Sequence, residues 1–394
     1  MFGFLTDSPS KIATGLYRII VTPDILITDY MAVGGIGAAF INSGLLTLVT
    51  VYSFYRLKIN LTGASLSTIW IVSGFALFGK NIFNVWFIIL GVWLYAKYQR
   101  DKFTKYVYIA FLGTSLAPII TQVMFGLNLP RHLGIPLGIL IGLSIGFILP
   151  ALAPYLMKFH QGFNLYNIGF TAGILGTIIS SLFRSYGLSS QGQMIWATGY
   201  NPILSKFLII LFLSMIVFSF GLNRRVHIEW KNILDYSGRL VSDFVLLEGF
   251  APTLFNMGIG GIISTIYVLV IGADLNGPTV GGIFTIVGFS AFGKHIKNML
   301  PIVCGVFIGS LTKTWHIADP AIVLAALFGT TLAPIAGEFG WRYGILAGFL
   351  HSSVVLNVGY LHSGFNLYNN GFSGGIVAAI LIPIIEALRK DTDS

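Results

Sequence analysis

The chain has 394 residues, of which 55% are hydrophobic and only 9% charged, whereas a soluble domain carries about a quarter charged residues. Apolar stretches of about 17 to 25 residues recur along almost the whole length, and each is long enough to cross a bilayer core as a helix. These properties exclude a soluble enzyme or binding domain. They predict an all-α polytopic membrane protein whose first partner is the lipid bilayer.

The formal net charge of +9 comes mainly from Lys and Arg residues in short loops. Basic residues in such loops determine the orientation of membrane helices. We therefore expect no nucleic-acid partner. The first residues lack the pattern of a cleaved secretion signal. Cys304 is the single cysteine, which excludes an intrachain disulfide and a Cys-based metal cluster. We predict no cofactor and no metal site.

The predicted helical segments form two similar series in chain order. The first repeat has apolar segments near residues 32–53, 62–79, 82–97, 106–126, 134–157 and 169–183. One segment that begins at Pro202 has no partner. The second repeat has segments near residues 246–269, 278–293, 298–312, 320–337, 343–360 and 371–387. The predicted domains are a first membrane repeat (1–194), a linker helix with a basic cytoplasmic segment (195–240) and a second membrane repeat (241–394).

The repeats are related by sequence as well as by hydropathy. The strongest match is HxGFNLYNxGFxxG, which occurs at 160–173 and 362–375 and is identical at ten of fourteen positions. Six segments plus one linker helix place the second repeat upside down relative to the first. The fold class is therefore two inverted-topology repeats of about six helical segments each, with broken or re-entrant helices, plus one linker helix.

Basic loops predict the orientation of the chain. The segments 97–105 and 223–231 and the end of the last helix are rich in Lys and Arg, which favours the cytoplasmic side. This places the C-terminus in the cytoplasm and the N-terminus outside, with about thirteen crossings of the plasma membrane. If some segments are re-entrant, the number of crossings is smaller and the repeat remains.

The GFNLYN motif is a poor continuous helix. Irregular backbone is tolerated at membrane depth only where protein or a water-filled cavity surrounds it, and broken helices of inverted repeats commonly bind the transported solute. The motif therefore predicts a substrate pathway; its candidate residues are Asn164, Tyr166, Asn167, Asn366, Tyr368 and Asn369. The alternative is that these asparagines satisfy the turn between two helices and contact no solute.

Further polar residues lie at equivalent positions of the two repeats. Asn42 and Asn256, each followed by Gly two residues later, are weaker pathway candidates or helix-packing hydrogen bonds. Glu338 aligns with Gln122 and is a candidate for binding a cation or proton, or pairs with Arg342.

Two histidines and two pairs of charged residues complete this set. His160 and His362 open the motifs and are candidates for proton transfer, or for interfacial hydrogen bonds. We expect Asp29 and Asp243 to cap helices. We expect Lys80 and Lys294 to reach the membrane interface with their ammonium groups, and attraction of an anionic solute is the alternative.

Motifs of enzymes are weak in this chain. GLSIG at 142–146 matches a nucleophile elbow but lies in a continuous apolar segment instead of a strand-to-helix turn. The sequence contains no HExxH motif and no P-loop. We therefore predict that the protein is not an enzyme.

The duplicated unit with its GFNLYN signature resembles a family of uncharacterised bacterial membrane proteins with a duplicated domain. More distantly, the Asn-x-Gly segments at Asn42 and Asn256 and the later Gly-Phe-Asn segments resemble urea transporters. That resemblance implies an inverted-repeat channel for a small polar solute, in a trimer or dimer. Each repeat here has more helices, and the proline that usually starts the pore helix is missing.

Three hypotheses of function follow from the sequence. The first is a channel or facilitator for a small polar solute. The second is a proton- or cation-coupled transporter of a small organic anion, with Glu338 and His362 in the coupling role. The third is a membrane enzyme or a scaffold that transports nothing.

Overall fold

The computed structural model describes residues 2–24, 27–188 and 194–390. In these ranges the chain forms helices joined by turns and no β-strand, which confirms the predicted all-α fold. The helices are α1 Phe2–Thr6, α2 Pro9–Val21, α3 Tyr30–Gly34, α4 Ile36–Arg56, α5 Gly63–Phe75, α6 Trp86–Tyr98, α7 Val107–Gly113, α8 Ala117–Thr121, α9 Arg131–Met157, α10 Asn167–Ser185, α11 Asn201–Leu222, α12 Val226–Ile233, α13 Phe244–Glu248, α14 Phe250–Val270, α15 Gly277–Phe289, α16 Ile296–Thr312, α17 Pro320–Gly329, α18 Ala333–Phe339, α19 Trp341–Val358 and α20 Asn369–Lys390.

Eight helical stretches of the described residues are long and apolar enough to cross a membrane, which confirms a polytopic membrane protein. They are Ile36–Arg56, Phe103–Gly126, Arg131–Met157, Asn167–Ser185, Asn201–Leu222, Phe250–Val270, Pro320–Phe339 and Asn369–Arg389. The sequence predicted about thirteen crossings, so several predicted segments are shorter than a span. Four of these shorter apolar helices are α5, α6, α15 and α16.

The short helices have a physical cause at the Phe-Gly-Lys turns. Helices α5 and α15 contain 13 residues each, which is about 20 Å at 1.5 Å per residue, against a bilayer core of about 30 Å. Gly79 and Gly293 follow them with φ of 82° and 101°, a left-handed conformation that favours glycine. The adjacent Lys80 and Lys294 are fully buried, so both helices end inside the protein.

The predicted helix break at the duplicated motif is present in both copies. Helix α9 ends at Met157 and α10 begins at Asn167. In between, Gln161 and Gly162 have φ of 50° and 82°, and Ser363 and Gly364 have φ of 50° and 74° in the second copy. The two copies therefore make the same left-handed turn, which ends one helix and redirects the chain into the next.

Equivalent helices of the two repeats pack against each other in opposite directions. A Cβ atom at Gly63, the first residue of α5, would overlap the carbonyl oxygen of Ala291, just beyond α15. Gly277, the first residue of α15, meets the carbonyl oxygen of Leu77 beyond α5 in the same way. Small residues permit such close backbone approach. An approximate twofold axis between the helices therefore relates the repeats.

The same axis relates the two aspartates, which cap helices as predicted. Asp29 Oδ1 accepts from the Met31 amide at 2.9 Å, and Asp243 Oδ1 accepts from the Val245 amide at 3.1 Å. Asp243 Oδ1 also accepts from the Gly63 amide at 2.8 Å, so the cap of one repeat holds the start of α5 in the other.

Two asparagines hold the turns that follow α5 and α15. Asn42 on α4 donates to the carbonyl oxygens of Ala76 and Lys80 at 2.7 and 2.9 Å, and accepts from the Ile82 amide at 3.0 Å. Asn256 on α14 donates to the equivalent oxygens, of Ser290 and Lys294, at 2.7 and 2.8 Å. These contacts match the helix-packing alternative, and each asparagine fixes the backbone of a buried lysine.

Replacement of Asn42 by alanine should destabilise the protein strongly. It leaves two buried carbonyl oxygens and one amide without a partner, and each such group costs on the order of 1–3 kcal/mol. Thermal unfolding in detergent micelles measures the effect. The matched control is Asn357→Ala, because Asn357 is exposed and donates only to the Ser353 carbonyl. Equal unfolding midpoints for the two variants would contradict this role of Asn42.

Candidate functional site

The two copies of the motif meet where helices α10 and α20 begin. Asn164 donates to the carbonyl oxygen of Gly371 at 2.9 Å, and Asn366 donates to that of Gly169 at 3.0 Å. A Cβ atom at either glycine would press against the backbone of the other motif. At this point each repeat thus donates one side-chain to backbone hydrogen bond to the other, and the two bonds are related by the approximate twofold axis.

The oxygen atoms of the same asparagines brace the motif itself. Asn164 Oδ1 accepts from the Thr331 hydroxyl at 2.6 Å, and Asn366 Oδ1 accepts from the Tyr368 amide at 3.0 Å. Both side chains are fully buried. Their contacts are therefore those of the structural alternative, in which the asparagines satisfy the turn.

The motif histidines tie the break to the preceding helix. His160 Nε2 bonds to Asn167 Oδ1 at 3.0 Å, and His362 Nε2 bonds to Asn369 Oδ1 at 2.9 Å. The amide groups of these asparagines donate to carbonyl oxygens of α9 and α19, at Ala153 and Val355. Both histidines are fully buried, which differs from the interfacial position considered for them.

A cavity of about 210 Å³ lies between the two repeats. Its walls come from α5, α15, the two motifs and the first turns of α10 and α20. Much of the lining consists of equivalent pairs, which include Phe75 with Phe289, Leu112 with Phe328, Leu165 with Leu367, Tyr166 with Tyr368 and Gly169 with Gly371. Asn167 is the lining residue among the candidate motif asparagines. The cavity is thus mainly aromatic and aliphatic.

Behind the aromatic walls lie the two lysines. Lys80 Nζ donates to the Tyr368 hydroxyl at 2.6 Å, and Lys294 Nζ donates to the Tyr166 hydroxyl and, at 2.8 Å, to Thr330 Oγ1. Both lysines are fully buried, so the expectation that they reach the membrane interface was wrong. The helix before each lysine ends inside the protein, and the side chain extends to a tyrosine of the other repeat.

The two ammonium groups lie near ring faces and have no acidic partner. Lys80 Nζ is 4.7 Å from the centre of the Tyr368 ring, and Lys294 Nζ is 4.6 Å from that of Tyr166. Within the described ranges, the ion pairs are Lys105 with Asp101 and Lys297 with Asp235. Burial of an ammonium group without a counter-ion costs several kcal/mol, so the charged form of each lysine is disfavoured unless an anion lies beside it.

The candidates for ion coupling, Gln122 and Glu338, do not line the cavity. Gln122 is buried in a widened helical turn, Gln122–Gly126. Glu338 is exposed near the end of α18. No group of three or more His, Cys, Asp or Glu side chains able to hold a metal ion occurs in the described part of the chain.

A buried carboxyl group that the sequence analysis missed lies in the first repeat. Asp24, between α2 and α3 and outside the candidate spans, is fully buried and accepts hydrogen bonds from Tyr30, Thr121 and Asn84 at 2.9, 3.0 and 3.2 Å. Burial raises the pKa of its carboxyl to about 8, although the three hydrogen bonds oppose the shift. Asp24 lies five residues before Asp29, and the residue five before the equivalent Asp243 is Gly238, so the second repeat has no such carboxyl group.

A second missed residue is Asn370, in the second motif. It lines the cavity, and its Oδ1 bonds to Nε2 of the buried His351 at 3.0 Å. The equivalent lining residue of the first motif is Ile168. The only signal in the sequence was a difference between the two motifs, which have Asn-Ile at 167–168 and Asn-Asn at 369–370.

A family model described as "Protein of unknown function (DUF1576)" matches residues 8–185 and 222–387, which is most of the chain. The chain belongs to this family. The two matched segments of the DUF1576 model correspond to the two repeats, and the second begins at 222, within the stretch that the sequence analysis assigned to the linker. No curated protein and no solved structure matches the chain.

The stability of the protein should depend on pH through Asp24. Between the ordinary pKa of 3.8 and the folded value of about 8, the folded state keeps a proton that the unfolded state has lost. The contribution of this proton to the free energy of unfolding is therefore largest below pH 3.8, and it is lost as the pH rises to about 8. We expect the unfolding midpoint of the wild type to fall from pH 5 to 8 relative to Asp24→Asn. Parallel curves for the two proteins would refute this.

Proposed function

We propose that this membrane protein transports a small solute through a pathway at the interface between its two repeats. The observation that carries the proposal is the cavity, which is formed by equivalent residues of both repeats at the point where two helices are broken. Transporters with inverted repeats commonly bind their solute at such an interface, between broken helices. The protein would lie in the plasma membrane with its C-terminus in the cytoplasm, and a homodimer or trimer is compatible with this function.

The antiparallel packing of α5 and α15 supports inverted topology. Equivalent helices that cross a membrane in opposite directions place equivalent residues at the same depth only near their crossing point. Here Gly74 of α5 contacts Gly281 of α15. The equivalent pair, Gly288 and Ser67, makes the reciprocal contact, so the two helices cross between these points. Gly169 contacts its equivalent Gly371 at the motifs. The cavity lies beside these crossings, so both repeats would contribute to one site at similar depth.

The cavity can be filled by a single substitution that the fold should tolerate. Leu112 lines the cavity, and its counterpart in the second repeat is the larger Phe328. We expect Leu112→Trp to occupy much of the free volume and to reduce flux at least tenfold. The matched control is Leu140→Trp, because Leu140 is 60% exposed on the outer face of α9.

Flux is measured in proteoliposomes with a panel of small solutes, namely urea, glycerol, acetate, butyrate and benzoate. The proposal expects uptake of at least one of them by the wild type and the Leu140→Trp control, and its loss in Leu112→Trp. Absence of uptake for every solute would count against transport. Equal uptake by the two tryptophan variants would count against this cavity as the pathway.

A proton-coupled carrier is the second candidate function, and the buried carboxyl of Asp24 supports it better than the exposed Glu338 does. Asp24→Asn should then abolish accumulation driven by a proton gradient, while exchange of solute at equal pH continues. Glu338→Gln is the control and should leave both unchanged. Loss of accumulation in Glu338→Gln alone would favour the original assignment of the coupling residue.

A further inference from the structure

We propose that the cavity between the repeats is a binding site for a small monocarboxylate with an apolar body. This inference rests on the proposed transport function and names its class of solute. It depends on hydrogen-bond donors that have no acceptor in the protein, on the position of two buried ammonium groups, and on the apolar character of the remaining walls.

The first argument is a surplus of donors around the cavity. In its protonated form each lysine has three donors; Lys80 then uses one, for Tyr368, and Lys294 uses two, for Tyr166 and Thr330. Because Lys80 donates to the Tyr368 oxygen, the hydroxyl hydrogen of Tyr368 needs another acceptor. The described residues supply none. The unpaired donors lie inside the protein, where an unsatisfied polar group is costly.

Asn370 adds a further donor directly in the cavity wall. Its oxygen is occupied by His351 Nε2 at 3.0 Å, which directs the amide nitrogen away from that histidine. No acceptor for this nitrogen occurs in the described part of the chain. A ligand that only accepts hydrogen bonds complements such a wall, and an ionised carboxylate has two oxygens that only accept.

The ammonium groups and the helix ends favour a negative charge. Neither lysine lines the cavity, but the nitrogens lie 4.7 and 4.6 Å from the centres of the Tyr368 and Tyr166 rings, which form part of its wall. The first turns of α10 and α20, at Gly169 and Gly371, also line the cavity. Helix N-termini carry partial positive charge, and α10 lacks a side-chain cap.

The remaining lining limits the kind of anion. Phe75, Phe289, Phe328 and Leu367 supply no polar group, so a multiply charged oxyanion such as phosphate would lose its hydration without sufficient replacement. A monocarboxylate with an aliphatic or aromatic body suits one charged end and apolar walls. The volume of about 210 Å³ is below that of sites for drug-sized molecules, which restricts the ligand to a small acid.

The test uses three probes of nearly the same shape and different charge: benzoate, benzamide and benzamidinium. Binding to the purified full-length protein in lipid nanodiscs is measured by titration calorimetry at pH 7. We expect benzoate to bind at least about tenfold more tightly than benzamide, because its hydrogen bonds are charge-assisted, and benzamidinium to bind weakest. Butyrate and butyramide repeat the comparison with an aliphatic body.

Variants separate charge from structure. Lys80→Gln with Lys294→Gln keeps a donor near each tyrosine and removes both charges, so the preference for benzoate over benzamide should disappear. Asn370→Ile introduces the residue of the first motif and should weaken benzoate binding while the order of the probes remains. Leu112→Trp should abolish binding of all probes, whereas Leu140→Trp should not.

The outcomes distinguish this inference from the proposed function. Equal binding of benzoate and benzamide, or tighter binding of benzamidinium, would overturn the carboxylate assignment on the wild-type protein alone. Absence of all probe binding, together with flux of another solute that Leu112→Trp blocks, would also overturn it and leave the transport function intact. Absence of both binding and flux would reject the two proposals together.

Discussion

The structure depends on the pairing of backbone carbonyl oxygens that helix breaks leave free. In a membrane protein such groups cannot be satisfied by lipid, and each unpaired group costs several kcal/mol. Asn42 and Asn256 supply the donors for the carbonyl oxygens of Ala76, Lys80, Ser290 and Lys294, which follow the ends of α5 and α15. The four motif asparagines add bonds to carbonyl oxygens of neighbouring helices, at Gly371, Gly169, Ala153 and Val355. The asparagines that first suggested a solute pathway therefore make the broken helices possible.

This pairing determines what faces the cavity. Because Asn42 and Asn256 hold the turns after α5 and α15, the next side chains in these turns, Lys80 and Lys294, are fixed in direction. Each lysine then bonds to a tyrosine of the other repeat. The hydrogen bonds from Asn42 and Asn256 to the backbone carbonyl oxygens thus determine where the two lysine side chains lie.

The sequence was sufficient to predict the features that are repeated and local. Ten identities in the motif indicated a duplicated break, and the left-handed turns at Gly162 and Gly364 confirm it. Asp29 and Asp243 cap helices as their position before an apolar run indicates. Such features depend on a few consecutive residues, and a pattern in the chain records them directly.

Contacts between distant parts of the chain could not be predicted in this way. Asn164 bonds to Gly371, 207 residues away, and no local pattern indicates that partner. The position of Lys80 was misjudged because a sequence does not reveal whether a helix ends at a membrane surface or inside the protein. Asp24 gave no signal, since its partners Asn84 and Thr121 come from two later parts of the chain.

The differences between the repeats bear on the mechanism as much as their similarity. Two identical repeats would present a solute with the same wall on both sides of the axis. Here Asn370 replaces the Ile168 of the first motif, whereas Asn167 lines the cavity and its equivalent Asn369 does not, so the two motifs place their polar groups at different positions of the wall. Asp24 places a buried carboxyl group in the first repeat, and the equivalent residue of the second repeat is Gly238, so only the first repeat can take up a proton at this position. The duplication thus builds the cavity, and these few differences make its two halves unequal.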